Sequence, residues 1–129
     1  MPKKNIILVT GGAGFVGTNL IKLFLEKTKY KIVSLDDYSS GTKLNHINSS
    51  RIKYIKGKTV NIAKLIRNYK RINSVFHFGE FARIYQSFLK MHECIDSNSI
   101  GSNAVFNFCL KNKIKLIYSA TSASLGNKG

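Results

Sequence analysis

Apolar residues in this chain gather in five short, nearly continuous runs, at positions 5–9, 31–36, 52–56, 74–78 and 114–119. Runs of that length, rich in Ile, Val, Leu and Phe, predict strands covered on both faces. A different periodicity fills most of the intervals. Leu20, Ile21, Phe24 and Leu25 give residues 18–28 an apolar stripe at helical spacing, and Ile62, Leu65, Ile66 and Tyr69 do the same after the third run. Phe81, Ile84, Tyr85, Phe88 and Leu89 mark a helix after the fourth run. Ile100, Ala104, Val105, Phe108 and Cys109 mark a longer one before the fifth, with Asp96 or Ser97 placed to cap it. Residues 38–50 are polar and predict a loop with at most one short turn of helix. There is no repeat and no linker. Strands alternating with helices through right-handed crossovers give an α/β fold, a doubly wound parallel sheet of about five strands.

The junction of the first strand and first helix carries the strongest chemical signal. It reads Val9-Thr10-Gly11-Gly12-Ala13-Gly14-Phe15-Val16-Gly17. Gly12, Gly14 and Gly17 fit G-x-G-x-x-G, while Gly11, Gly14 and Gly17 fit G-x-x-G-x-x-G. In a strand–turn–helix context that spacing predicts a dinucleotide site. The first glycines permit a tight turn with positive φ, the middle one lets backbone approach a pyrophosphate, and the last lets helix and strand pack closely. The helix start then offers free N–H groups and a partial positive charge to the phosphates. The second strand ends in Asp36, 19 residues after Gly17. A carboxylate there accepts hydrogen bonds from the adenosine ribose and repels a 2′-phosphate. No arginine lies between Gly11 and Arg51, so NAD is expected rather than NADP.

Composition narrows the partners. With 43% hydrophobic residues the chain is expected to be globular, and no apolar run approaches the length of a bilayer span, so no membrane association is expected. Lys3 and Lys4 precede an apolar stretch too short for a secretory signal. The two cysteines, Cys94 and Cys109, lack metal-ligand spacing and read as reduced, buried residues of a cytoplasmic protein. The histidines likewise suggest no metal site; His46 and His92 read as surface residues, and His77 as a packing residue at a strand end. The net charge is +15, yet the lysines are spread along the whole chain rather than gathered. That argues against nucleic acid as the partner, while a basic surface still attracts anionic ligands such as nucleotide sugars.

Several motifs in order resemble the extended short-chain dehydrogenase/reductases, and among them the NAD-dependent epimerase/dehydratase family of the UDP-glucose 4-epimerase type. Residues 10–17 are similar to T-G-G-x-G-F-I-G, and Asp36-Asp37-Tyr38-Ser39-Ser40-Gly41 to D-N-L-S-x-G. Val75-Phe76-His77-Phe78-Gly79 is similar to V-x-H-x-A, residues 96–103 to D-x-N-x-x-G-T-x-N, and residues 117–126 to I-x-S-S-S-A-x-V-Y-G. The resemblance implies a Rossmann-type NAD-binding domain. Phe15 and Val16 would donate backbone N–H groups to the pyrophosphate. Asp36 would hold the ribose, with Asp37, Ser39, Ser40 and Gly41 on the adenine side. Phe78 and Gly79 would line the cofactor, and Asn98 would position the loop beside it. Thr121 falls on the family's catalytic Ser/Thr, whose hydroxyl bonds the sugar's reacting oxygen. The implied substrate is a nucleotide sugar, a UDP-sugar foremost, oxidised and reduced at C4 with NAD. The full-length form would be a homodimer.

The resemblance covers only the first part of a family member. The 129 residues are therefore expected to be the N-terminal part of the NAD-binding domain, with the remaining strands and the substrate lobe absent. The family's Y-x-x-x-K base pair would lie beyond Gly129, so turnover is not expected of these residues alone. The one such pattern present, Tyr54 to Lys58, overlaps the third strand and reads as coincidence. Lys58 stands where the family places an acid near adenine, Glu80 where it often has a small residue, and Leu125 and Ala120 alter the last motif. Ser122 and Ala123 follow Thr121 where dehydratases carry Asp-Glu, which favours epimerase or ketoreductase chemistry over dehydration. Three other readings compete: a non-catalytic NAD-binding fragment, another nucleotide-sugar reductase or dehydratase of the same family, and a basic nucleic-acid-associated protein.

Overall fold

The computed structural model describes residues 2–79 and 91–119. Five strands form one sheet: β1 (Ile6–Thr10), β2 (Lys31–Asp36), β3 (Ile52–Lys56), β4 (Ile72–His77) and β5 (Lys115–Tyr118). All neighbours are parallel, in the order β3-β2-β1-β4-β5. The chain crosses from one side of β1 to the other between β3 and β4. Crevices for ligands form at such a reversal, at the carboxyl ends of the strands.

Alternation along β1 divides the core into two layers. Ile7 and Val9 face α1 (Phe15–Lys27) and bury against Ile21 and Ile32. Leu8 faces the other way and joins Val33, Leu35 and Val75 beneath α2 (Ile62–Leu65) and α4 (Ser102–Asn112). Helices on both faces make the sheet doubly wound, as the run pattern predicts. α3 (Met91–Ile95) and a π-helical turn, Asp96–Gly101, lead into α4 without a break.

Three details depart from the sequence reading. α1 begins at Phe15, not residue 18, because the glycine turn feeds straight into the helix. The helix expected over Ile62 to Tyr69 stops at Leu65, and Ile66 turns extended, with φ −105° and ψ 100°. Ile66 is buried in the larger core layer, so tertiary burial overrides the local periodicity. Neither Asp96 nor Ser97 caps a helix, because Ile95 before them already has αR backbone and the helix runs on through the π turn. A capping residue needs non-helical backbone.

Arg51, just before β3, fastens the far end of α1. Its guanidinium donates to the carbonyls of Thr28 (2.8 Å), Tyr30 (3.0 Å) and Leu25. A cation on carbonyls at a helix C-terminus also complements the helix dipole. This places Arg51 at the opposite end of the sheet from Asp36. No described helix is long and apolar enough to cross a membrane.

Candidate functional site

Most of the residues singled out in the sequence meet at the carboxyl ends of β1, β2 and β4. Gly11 has φ +74°, and a Cβ there would lie 2.9 Å from the carbonyl carbon of Phe78 and 3.0 Å from the nitrogen of Gly79. The glycine turn thus abuts the end of β4. Gly12 does not share the positive φ expected of the first glycines; among the described glycines only Gly11 has it. Gly12 answers to packing instead, since its Cβ would fall 2.1 Å from Ser34 Oγ on β2. Gly17 meets its expected role, for a Cβ there would lie 2.2 Å from the Gly11 carbonyl oxygen.

Gly14 is different. Its backbone is extended, at φ −84° and ψ −179°, which any residue adopts. A Cβ on it would come no closer than 3.4 Å to another group. Nothing among the described residues requires a glycine here. α1 begins immediately after, with no side-chain cap. Its first bonded N–H is that of Thr18, donated to the Gly14 carbonyl at 3.0 Å. The N–H groups of Phe15, Val16 and Gly17 are the orphans every helix start leaves. Phe15 is 83% exposed and Val16 is also exposed. Glycine, free donors and the positive end of a helix dipole converge on a surface suited to an anion.

Asp36 closes the site on the β2 side. Its Oδ2 accepts the Ala13 N–H at 2.9 Å and its Oδ1 the Tyr38 N–H at 2.8 Å. Each oxygen retains a further lone pair. Gly41 lies against this carboxylate, with a Cβ position 2.9 Å from Oδ2 and 2.9 Å from the Ala13 carbonyl carbon. Asp37 is exposed and accepts the Ser39 N–H at 2.9 Å, which tightens the loop; Ser39 and Ser40 are exposed beside it. Phe78 and Gly79 present backbone to the site, while the Phe78 ring packs with the α1-side layer. Asn98 is half-buried in the π turn, which packs against the 3₁₀ turn Thr59–Asn61 after β3. Thr121, Glu80 and the expected helix over 81–89 lie outside the described residues.

Two groupings were not legible beforehand. The first is a buried relay beneath the glycine turn. Thr10 Oγ1 accepts the N–H groups of Phe78 (3.0 Å) and Gly79 (2.9 Å) and lies 2.6 Å from His77 Nδ1. With both lone pairs used, the Thr10 hydroxyl donates to Nδ1, so Nε2 carries the proton and donates to Ser102 Oγ at 2.8 Å. His77 is fully buried between Phe106 and Tyr118. It is a packing residue, as expected, with both ring nitrogens in use. Burial pushes its pKa down to about 4. The unfolded chain therefore binds a proton near pH 6.5 that the folded one refuses until about pH 4. Stability contributed by the neutral ring is present above pH 6.5 and is lost as pH falls toward 4. The expected loss is on the order of 3 kcal/mol across that window. Urea unfolding at pH 7 and pH 4.5 measures it, and H77Q should flatten the difference; an equal slope in both proteins would refute it.

The second grouping is in the loop after β2. His46 is exposed, as expected of a surface residue, and in addition lies 2.7 Å from Tyr38 Oη in a hydrogen bond and stacks 3.7 Å from the Tyr54 ring. Tyr54 Oη accepts the Ile47 N–H at 2.9 Å. Tyr54 therefore serves the loop, and β3 ends at Lys56, before Lys58. Among the described residues no group of three His, Cys, Asp or Glu is placed to hold a metal. Cys109 is a buried free thiol with its pKa raised to about 11 by burial.

Comparison with known proteins converges on one group. The family described as "NAD dependent epimerase/dehydratase family" matches residues 7–129. An epimerase from Methanothermobacter thermautotrophicus is 26% identical, with a TM-score of 0.83 over 93% of this chain and 36% of that one. UDP-glucose 4-epimerase from Thermotoga maritima, solved with UDP-glucose, is 28% identical, with a TM-score of 0.79 over 90% of this chain and 38% of that one. UDP-glucose 4-epimerase from Bifidobacterium longum, in complex with NAD+ and UDP, is 26% identical, with a TM-score of 0.80 over 94% of this chain and 38% of that one. The chain thus spans well under half the length of the solved structures it matches.

Proposed function

Because the chain belongs to the NAD dependent epimerase/dehydratase family, we propose that it is the NAD-binding part of a nucleotide-sugar epimerase of the UDP-glucose 4-epimerase kind. The observation that carries this reading is Gly14, whose Cβ position is free to 3.4 Å at the uncapped start of α1. A diphosphate needs that opening and the N–H groups of Phe15 and Val16. Asp36 accepts the ribose hydroxyls with its remaining lone pairs and holds off a 2′-phosphate. The loop from Asp37 to Gly41 borders the adenine, and the backbone at Phe78 and Gly79 borders the cofactor along β4. Asn98 steadies the neighbouring turn. Bound there, NAD would supply the reversible hydride acceptor for oxidation and reduction of the sugar at C4. Thr121 is proposed to bond the sugar's reacting oxygen, and the full-length enzyme to act on UDP-sugars as a homodimer.

The fit of residues to cofactor is tested by G14A. Alanine suits the Gly14 backbone, so folded stability should hold or rise by about 0.5 kcal/mol. NAD affinity should fall by at least about tenfold, because the methyl group occupies the diphosphate's place. Calorimetric titration with NAD, beside thermal melts, reads both. Unchanged affinity in a folded G14A protein would overturn the assignment.

A further inference from the structure

We propose that Asn45 is a positioning residue for the diphosphate, acting through the peptide between Ala13 and Gly14. The proposal rests on the reading that NAD lies against the glycine turn. That peptide is held at both ends. Its carbonyl, on Ala13, accepts from Asn45 Nδ2 at 2.8 Å and from the Thr42 N–H at 3.2 Å. Its N–H, on Gly14, donates to the Gly11 carbonyl at 3.1 Å. The grip matters because Gly14 has no side chain to resist rotation of the peptide. A rotated peptide breaks the Gly14 N–H bond to the Gly11 carbonyl and turns the Ala13 oxygen toward that carbonyl. The turn that leads into Phe15 and Val16, the first donors of α1, is then no longer held.

Asn45 is equipped to prevent this. It is half-buried, in the 3₁₀ turn Lys43–Asn45, and its donor is the shorter of the two on the Ala13 carbonyl. The turn begins firmly, since the Thr42 side chain accepts the Leu44 N–H at 3.2 Å. It ends firmly too. His46, the next residue, stacks 3.7 Å from Tyr54 and bonds Tyr38 Oη, and Ile47 donates to Tyr54 Oη. Tyr38 in turn donates its N–H to Asp36, and Asp36 accepts the Ala13 N–H. Both polar groups of Ala13 are thereby fixed, the N–H by Asp36 at the end of β2 and the carbonyl by the loop that follows it. The loop after β2 sets the phosphate site and the ribose site together.

The order of NAD affinities in a variant series tests the donor. N45A removes it and should weaken NAD binding by about tenfold. N45D keeps the shape but sets a carboxylate against the carbonyl, and should bind more weakly than N45A. N45Q keeps a donor on a longer stem and should bind more tightly than both. A side chain that only fills space gives the reverse, with the isosteric N45D nearest to wild type and N45Q furthest; that order overturns the proposal, as does equal affinity throughout. Thermal melts establish that each variant is folded. Failure of the unaltered chain to bind NAD would instead overturn the functional reading and the proposal with it.

Discussion

Alanine at Gly17 should abolish measurable NAD binding and lower stability by about 3 kcal/mol, the upper range for overpacking a close contact. The added Cβ would sit 2.2 Å from the Gly11 oxygen, 2.8 Å from Gly12 Cα and 2.9 Å from the Gly11 carbonyl carbon. All three are backbone, so no side chain can swing aside. The Gly11 carbonyl also accepts the Gly14 N–H, and the Gly11 N–H donates to Leu35 on β2 at 2.8 Å. Pushing Gly11 away therefore unmakes the turn that aims the donors of α1 and loosens its tie to the sheet. Stability, read by thermal melts, and NAD affinity, read by titration, should fall together in G17A, whereas in G14A only the affinity falls. If G17A melted like wild type, the close approach of α1 to the turn would be wrong.

Replacing Asp36 by alanine should have the second largest effect. Two N–H groups, those of Ala13 and Tyr38, would lose their acceptor in a buried setting. Each such loss costs about 1–3 kcal/mol, so a loss near 3 kcal/mol is expected in total. NAD affinity should fall by more than about a hundredfold, because the charged acceptor proposed for the ribose goes with them. D36N separates the two effects. Its amide oxygen serves one N–H while its NH₂ faces the other, so part of the fold is retained and the charge is gone. A folded D36N protein that held NAD as tightly as wild type would remove Asp36 from the ribose site.

The fold and the outline of the site were legible because both rest on short-range chemistry. Glycines in a strand–turn–helix context and an acid at the next strand end have few other meanings, and Gly11, Gly17 and Asp36 stand where that logic puts them. The motif could not tell which glycine the fold itself requires and which it leaves with room for a side chain. That distinction depends on Ser34 and Phe78, residues distant in sequence from the turn. The helix after β3 misled because its stripe of Ile62, Leu65, Ile66 and Tyr69 is genuine, yet Ile66 gains more from the core layer than from another helical turn. Asn45, His46, Tyr54 and Arg51 gave no sequence signal. Each is an ordinary polar or aromatic residue whose partner is set by how a loop crosses the sheet edge. The π turn at Asp96–Gly101 was equally invisible, since no composition marks it.

The place of β1 in the sheet bears on how the chain is made. β1 precedes the other four described strands in the chain and is the middle one in the finished order, with Ile7 of β1 opposite Ser74 of β4, 67 residues later. During vectorial synthesis β2 emerges early and can zip onto one side of β1, with β3 following onto β2. The other side stays bare until residue 77 has left the ribosome. For that interval the nascent chain displays an apolar strand with unmet backbone groups, the kind of edge that recruits chaperones or other chains.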